Sequence, residues 1–130
     1  MYLCSNALAR KFYLCNNSIK TTLFNSYCGS MYTSSLWCHF KKQSLKGITV
    51  AYNNSFRIIH NLSPRCSASH MFATNYVKSF NERIRSSIFS LLCRLEKSDN
   101  ILFVNYLHTF IYYRSPLIKH WIDQLYAFNS

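Results

Sequence analysis

Lys41, Lys42 and Lys46, with Asn53 and Arg57 further on and Arg65 beyond, are the residues whose types and spacing could do chemistry. That chemistry is non-covalent. Ammonium and guanidinium groups on one face displace counterions from a phosphate backbone, giving affinity without sequence reading. An amide at Asn53 can donate to a phosphate, a sugar or a base edge, and a guanidinium at Arg57 can sit bidentate on a phosphate. The Trp and Tyr residues read as core rather than base-stacking platforms, with Tyr52, beside Asn53 at the edge of the basic face, the one for which stacking stays open. The plainer reading of the same residues is the solvated outer face of an ordinary amphipathic helix.

Covalent chemistry finds no footing. Metal-assisted phosphoryl transfer needs two acids close together, and Asp99 and Asp123 are far apart. No Gly-rich phosphate loop occurs. Cys66 and His70 have the four-residue spacing of a nucleophile and base on one helical face, but no orienting acid or amide is indicated. His39, His60, His70, His108 and His120 read as polar surface groups or satisfied partners. The six cysteines contain no CxxC pair. Without a zinc module or a signal peptide they read as buried thiols, not disulfides. The three Asn-x-Ser sequons, from Asn16, Asn53 and Asn61, read as chance. No metal, cofactor or enzymatic activity is expected.

Charge points the same way as the lysine cluster. The chain has 130 residues and a formal net charge of +11, and no Asp or Glu precedes Glu82. Self-repulsion of this size favours a polyanionic partner, nucleic acid first and an anionic membrane surface second. The stretch from Thr21 to Phe40 is free of charge and long enough to span a bilayer, but its many Ser, Thr and Asn residues oppose insertion.

The elements that would position these groups are helices. Only two glycines and two prolines interrupt the chain, and strict alternation is scarce. The expected fold is all-α, a compact helical bundle of about five to seven helices. Ser5 is expected to cap a first helix to about Tyr13, and Ser18 a second, apolar on most sides and running through Met31 and Tyr32. Gly29 in that second helix suggests a close approach by a neighbour. Trp37 and Phe40 are expected to close the core. Leu45, Ile48, Tyr52, Ser55 and Ile59 recur at three- and four-residue steps, predicting a helix from about Gln43 to Asn61. Lys42, Lys46, Asn53, Arg57 and His60 fall on or near its other side, and Gly47 weakens its first turn. Pro64 ends that segment. Ser67 or Ser69 starts a short helix from Ala68 to Thr74. Ser79 and Glu82 form a capping box for a helix with Phe80, Ile84, Ile88, Leu91, Leu92 and Leu95 on its buried stripe. Ile101–Tyr113, apolar almost throughout, reads as a core helix after a Ser98–Asn100 cap. Ser115 caps a last helix with Pro116 at its first position, lined by Leu117, Trp121, Leu125 and Phe128.

Several blocks also resemble one family. VAYNNSFRI (Val50–Ile58), followed by SPRCSASHMF (Ser63–Phe72), is similar to the C-terminal part of non-LTR (LINE-type) retrotransposon reverse transcriptases. LARKFYLCNNSIKTTLFNSYCGSMYTSSLW (Leu8–Trp37) resembles their segment just after the catalytic palm. RIRSSIFSLLCRLEKSDN (Arg83–Asn100) and SPLIKHW (Ser115–Trp121) keep the pattern. The resemblance implies a thumb-like helical region over 1–63, with a helical C-terminal extension over 64–130 packed on it as one cooperative unit. In that family the region grips the template–primer duplex beside the palm. The expected partners are therefore an RNA/DNA or DNA duplex held by its backbone and a palm-bearing polymerase portion, in the cytoplasm or nucleus. The paired catalytic aspartates of the palm have no counterpart here, and by the resemblance Met1 lies downstream of the palm. At Gly47–Ile48–Thr49 relatives tend to be more basic. The resemblance thus implies a transposon-derived fragment that binds nucleic acid without polymerase activity. The alternatives are a non-functional translated remnant and a basic membrane-surface or protein-interaction module.

Overall fold

The computed structural model describes residues 1–126, with the backbone alone for 38, 39, 110, 111 and 124–126. Among the described residues every regular element is helical, as the sequence predicts. In order they are α1 (Tyr2–Lys11), α2 (Asn17–Tyr27), a 3₁₀ helix (Ser34–His39), α3 (Lys42–His60), α4 (Ala68–Thr74), α5 (Phe80–Glu96), α6 (Ile101–Leu107), α7 (Phe110–Tyr113) and α8 (Pro116–Tyr126). They form two compact units. Met1–Met31 and Lys41–Glu82 make one, and Tyr32–Phe40 with the chain from Arg83 onward makes the other.

The first unit is built on α3, against which α1 and α2 pack. Its core is aromatic. Phe24, Tyr52 and Phe56 are wholly buried, and Phe72 and Phe80 nearly so. Phe24 meets Tyr52 and Phe56 edge-on, with ring centroids at 4.9 and 5.0 Å, and Phe56 meets Phe72 the same way at 5.1 Å. Edge-to-face pairing suits the ring quadrupoles, and each buried Phe adds roughly 2–3 kcal/mol of hydrophobic stabilisation. Tyr52 is part of this core, not a stacking platform. Its phenol donates to the Lys78 carbonyl at 2.9 Å, which satisfies the one polar atom the ring carries inward.

Pro64 is expected to end α3, but Asn61 ends it first, in the left-handed conformation (φ 53°, ψ 43°), with Leu62 N–H returning to the Arg57 carbonyl at 2.9 Å. Asn tolerates that conformation better than most residues, which explains why it stands there. Other helix boundaries follow their predicted chemistry. The capping box of α5 is present: Ser79 N–H donates to Glu82 Oε2 at 2.7 Å, and Glu82 N–H to Ser79 Oγ at 3.4 Å. Ser115 Oγ accepts from Ile118 N–H at the start of α8. Asn100 caps α6 by accepting from Leu102 N–H.

Others differ. Ser5 lies inside α1, fully buried, and its hydroxyl donates back to the Tyr2 carbonyl. A serine can satisfy itself that way in mid-helix, so it marks no boundary. Asn16, not Ser18, caps α2, its Oδ1 accepting from Ile19 N–H at 3.0 Å. α2 stops at Tyr27 and buries only Lys20 and Phe24, so Gly29 lies beyond its end, and Tyr32 is 90% exposed. Trp37 packs edge-on against Phe40, but Phe40 is itself exposed, so the pair does not seal a core. Ser67 stands at the N-cap of α4 without making a capping bond. Of the cysteines with described side chains only Cys28 is buried; Cys4, Cys15, Cys66 and Cys93 are half-buried. Burial, reinforced by the adjacent Cys4, pushes the Cys28 thiol up to about 12.

In the second unit α7 packs with α6 and α8, and the 3₁₀ helix lies against α8. Ile84, Ile88, Leu92 and Tyr112 are buried, while Leu91 and Leu95 are half-buried. The expected core helix over 101–113 is two helices, and α6 buries none of its residues. A run that is apolar on every side offers no preferred face, and here it is a turn at His108–Thr109 that sets the geometry. Trp121 packs on Phe89 at 5.9 Å, and Leu117 is half-buried. The expected placements of Leu125 and Phe128 lie outside the described residues.

Candidate nucleic-acid interface

α3 carries most of the expected binding residues because its period separates them from its core face. At 3.6 residues per turn, Lys42, Lys46, Asn53 and Arg57 fall within about 60° of one another. The arc next to theirs supplies Tyr52, Ser55, Phe56 and Ile59 to the interior, with Leu45 and Ile48 half-buried. Phe56 is a core residue that the three- and four-residue steps passed over.

The stripe is not uniform along its length. Lys41, Lys42 and Lys46 are exposed at the N-terminal end, and among the described residues none of the three makes a side-chain hydrogen bond or ion pair. No side chain caps this end of α3, and its first turn holds no acid. The free N–H groups and the positive end of the helix dipole therefore add to the lysine charge. The combination attracts anions and repels cations. Asn53 sits midway, half-buried.

Toward the C-terminal end the stripe turns into the structure. Arg57 is half-buried and donates three hydrogen bonds, from Nε and Nη2 to the Cys66 carbonyl (3.2 and 2.8 Å) and from Nη1 to Asn54 Oδ1 (2.8 Å). It clamps the turn after Pro64 onto α3. The edge of the guanidinium expected to grip a phosphate sideways is occupied by a backbone carbonyl, an acceptor invisible in sequence. His60, placed on the polar side by its spacing, is 8% exposed. It stacks on Phe56 at 4.2 Å, and its Nε2 lies 3.5 Å from Thr21 Oγ1. Burial, with the Lys20 ammonium nearby, pulls its pKa down to about 4. Arg65 is exposed in the turn beyond. The clamp ties its neighbour Cys66 to Arg57, at the far end of α3 from the lysines, Lys46 and Arg57 being about 16 Å apart along the helix.

The structure thus assembles Lys41, Lys42 and Lys46 as one exposed cluster and places Arg57 and Arg65 at the other end. Cys66 directs its thiol to the Ser67 carbonyl, while His70 is exposed. Among the described residues no group of three metal-ligating side chains converges, and no helix is long and apolar enough to cross a membrane.

No family model, curated protein or solved structure matches the chain.

Proposed function

We propose that the chain is a nucleic-acid-binding module that holds duplex backbones through Lys41, Lys42 and Lys46, without polymerase activity of its own. The observation that carries this reading is the exposed lysine cluster on the uncapped N-terminus of α3, in a unit holding nine of the fifteen basic residues and one of the four acids. The all-α fold is compatible with a thumb and C-terminal extension derived from a retrotransposon reverse transcriptase. On that origin the ligand is a template–primer duplex, the natural neighbour is a palm-bearing polymerase portion, and the compartment is cytoplasmic or nuclear.

Salt titration of duplex binding tests the proposal. With about three to five phosphates contacted, log K falls against log salt with a slope of roughly 0.7–0.9 per contact. Substituting Lys41, Lys42 and Lys46 together by Gln lowers the slope by about 2–3 and weakens binding to every duplex sequence alike. Affinity indifferent to salt, or to the triple substitution, rejects it.

One observation favours a second reading. Ile101 and Leu102 of α6 are 71% and 74% exposed, and Phe103 and Tyr106 also face solvent. So much bare apolar surface suits a membrane-surface or protein-interaction module, or a remnant that has lost its covering domain. Binding to anionic vesicles that survives competition by excess duplex favours it over the first.

A further inference from the structure

Arg57 does more than clamp a turn. It also lines an open cleft of about 480 Å³ with Tyr2, Asn54, Ile58, Asn61, Leu62 and Pro64, all within the first unit. The cleft lies at the opposite end of α3 from the lysine cluster. None of its lining residues is acidic, and among the described residues Arg57 has no carboxylate partner. A half-buried guanidinium without a counter-ion is a charge still to be matched.

The hydrogen bonds around it are polarised in one direction. A guanidinium only donates, so the Asn54 amide must turn its oxygen to Arg57, at 2.8 Å. That leaves Asn54 Nδ2 to donate to the Tyr2 hydroxyl, at 3.2 Å. Having accepted there, Tyr2 has its own O–H proton to give outward. Three of the five guanidinium N–H groups are used by Cys66 and Asn54, and two are left. The cleft therefore offers donors linked by a hydrogen-bond chain that runs from half-buried Arg57 to the exposed Tyr2, beside an apolar wall of Ile58, Leu62 and Pro64. Such linked donors bind an anion with little ordering cost.

We propose that this cleft is a binding site for a nucleoside 5′-monophosphate group, either free or as the 5′ end of a strand. The phosphate meets the two remaining Arg57 N–H groups and the Tyr2 hydroxyl, and the nucleoside lies on the apolar wall. The cleft volume lies within the range that small-ligand sites occupy. The site is independent of the lysine cluster and does not rest on duplex binding.

The test is NMR titration of the full chain, following the Arg57 Nε–Hε resonance. Adenosine 5′-monophosphate, adenosine, inorganic phosphate and a dinucleotide with or without a 5′-phosphate are the probes. The mononucleotide shifts the resonance saturably, and adenosine and inorganic phosphate each bind at least about tenfold more weakly. If the 5′-phosphorylated dinucleotide binds as well as the mononucleotide, the natural ligand is a strand end; if only the mononucleotide binds, it is a free nucleotide. Tyr2→Phe removes one hydroxyl from a partly exposed ring and weakens the mononucleotide about tenfold with an unchanged melting temperature. Followed instead through the backbone amides of Asn54 and Asn61, which line the cleft, Arg57→Gln abolishes binding, and the triple lysine substitution leaves it intact. No shift with the mononucleotide, equal binding of inorganic phosphate, or indifference to Tyr2→Phe overturns the proposal.

Discussion

His60 illustrates how a residue's surroundings reset its chemistry. Its ring is stacked on Phe56 beside the Lys20 ammonium, so the proton it would hold in water is disfavoured, and its pKa falls from about 6.5 to about 4. The unfolded chain binds that proton at higher pH than the folded chain. The stability His60 contributes is therefore complete above about pH 6.5 and is lost as pH falls toward 4. The loss amounts to about 2 kcal/mol by about pH 5. His120 is lowered by burial as well, against the opposing pull of Asp123, and adds loss in the same direction. Urea midpoints measured between pH 7.5 and pH 5 should fall, and His60→Gln should remove the larger part of that slope. A midpoint insensitive to pH across this window would place His60 in water.

At the scale of the element, α3 binds and braces at once. Its N-terminal turns present lysines, while its C-terminal turns are held by Phe56, Ile59, His60 and the Arg57 clamp. Gly47 interrupts the exposed part, and a Cβ there would meet no heavy atom within 4 Å. Gly47→Ala should therefore stabilise the protein by about 0.5–1 kcal/mol, read as a higher melting temperature, because alanine loses less backbone entropy in a helix. α6 stands at the other extreme, with no buried residue. Changing Leu102 to Lys removes exposed apolar surface without emptying a core. The expected outcome is lower aggregation in light scattering, with the melting temperature within a degree or two of the parent. A large fall in melting temperature would show that Leu102 is packed.

At the scale of the whole molecule, charge is divided between the two units. The first holds an aromatic core with nine of the fifteen basic residues and one acid; the second holds three of the four acids. A polyanion bound to the first unit relieves repulsion among its cations and so stabilises the folded state by mass action. Duplex should raise the melting temperature at low salt, and this rise should vanish as salt increases. A rise that persists at high salt would assign the binding to contacts other than phosphate charge.

The sequence by itself determined the helical class, the extent of α3 to within a residue at each end, the capping box at Ser79 and Glu82, and the exposure of Lys41, Lys42 and Lys46. These follow from local periodicity, local capping chemistry and a missing counter-charge, all of which neighbouring residues express. Only the tertiary structure decided the rest. Tyr52 was already on the apolar stripe; what the stripe did not carry is that rings from α2, α4 and α5 converge on it. His60 went inside because the first unit covers the end of α3. Arg57 was taken from the binding stripe by a carbonyl nine positions away, and was joined through Asn54 to a tyrosine at the start of the chain. Side-chain period tells which residues share a face; it carries no information about which stretch of that face another segment will cover.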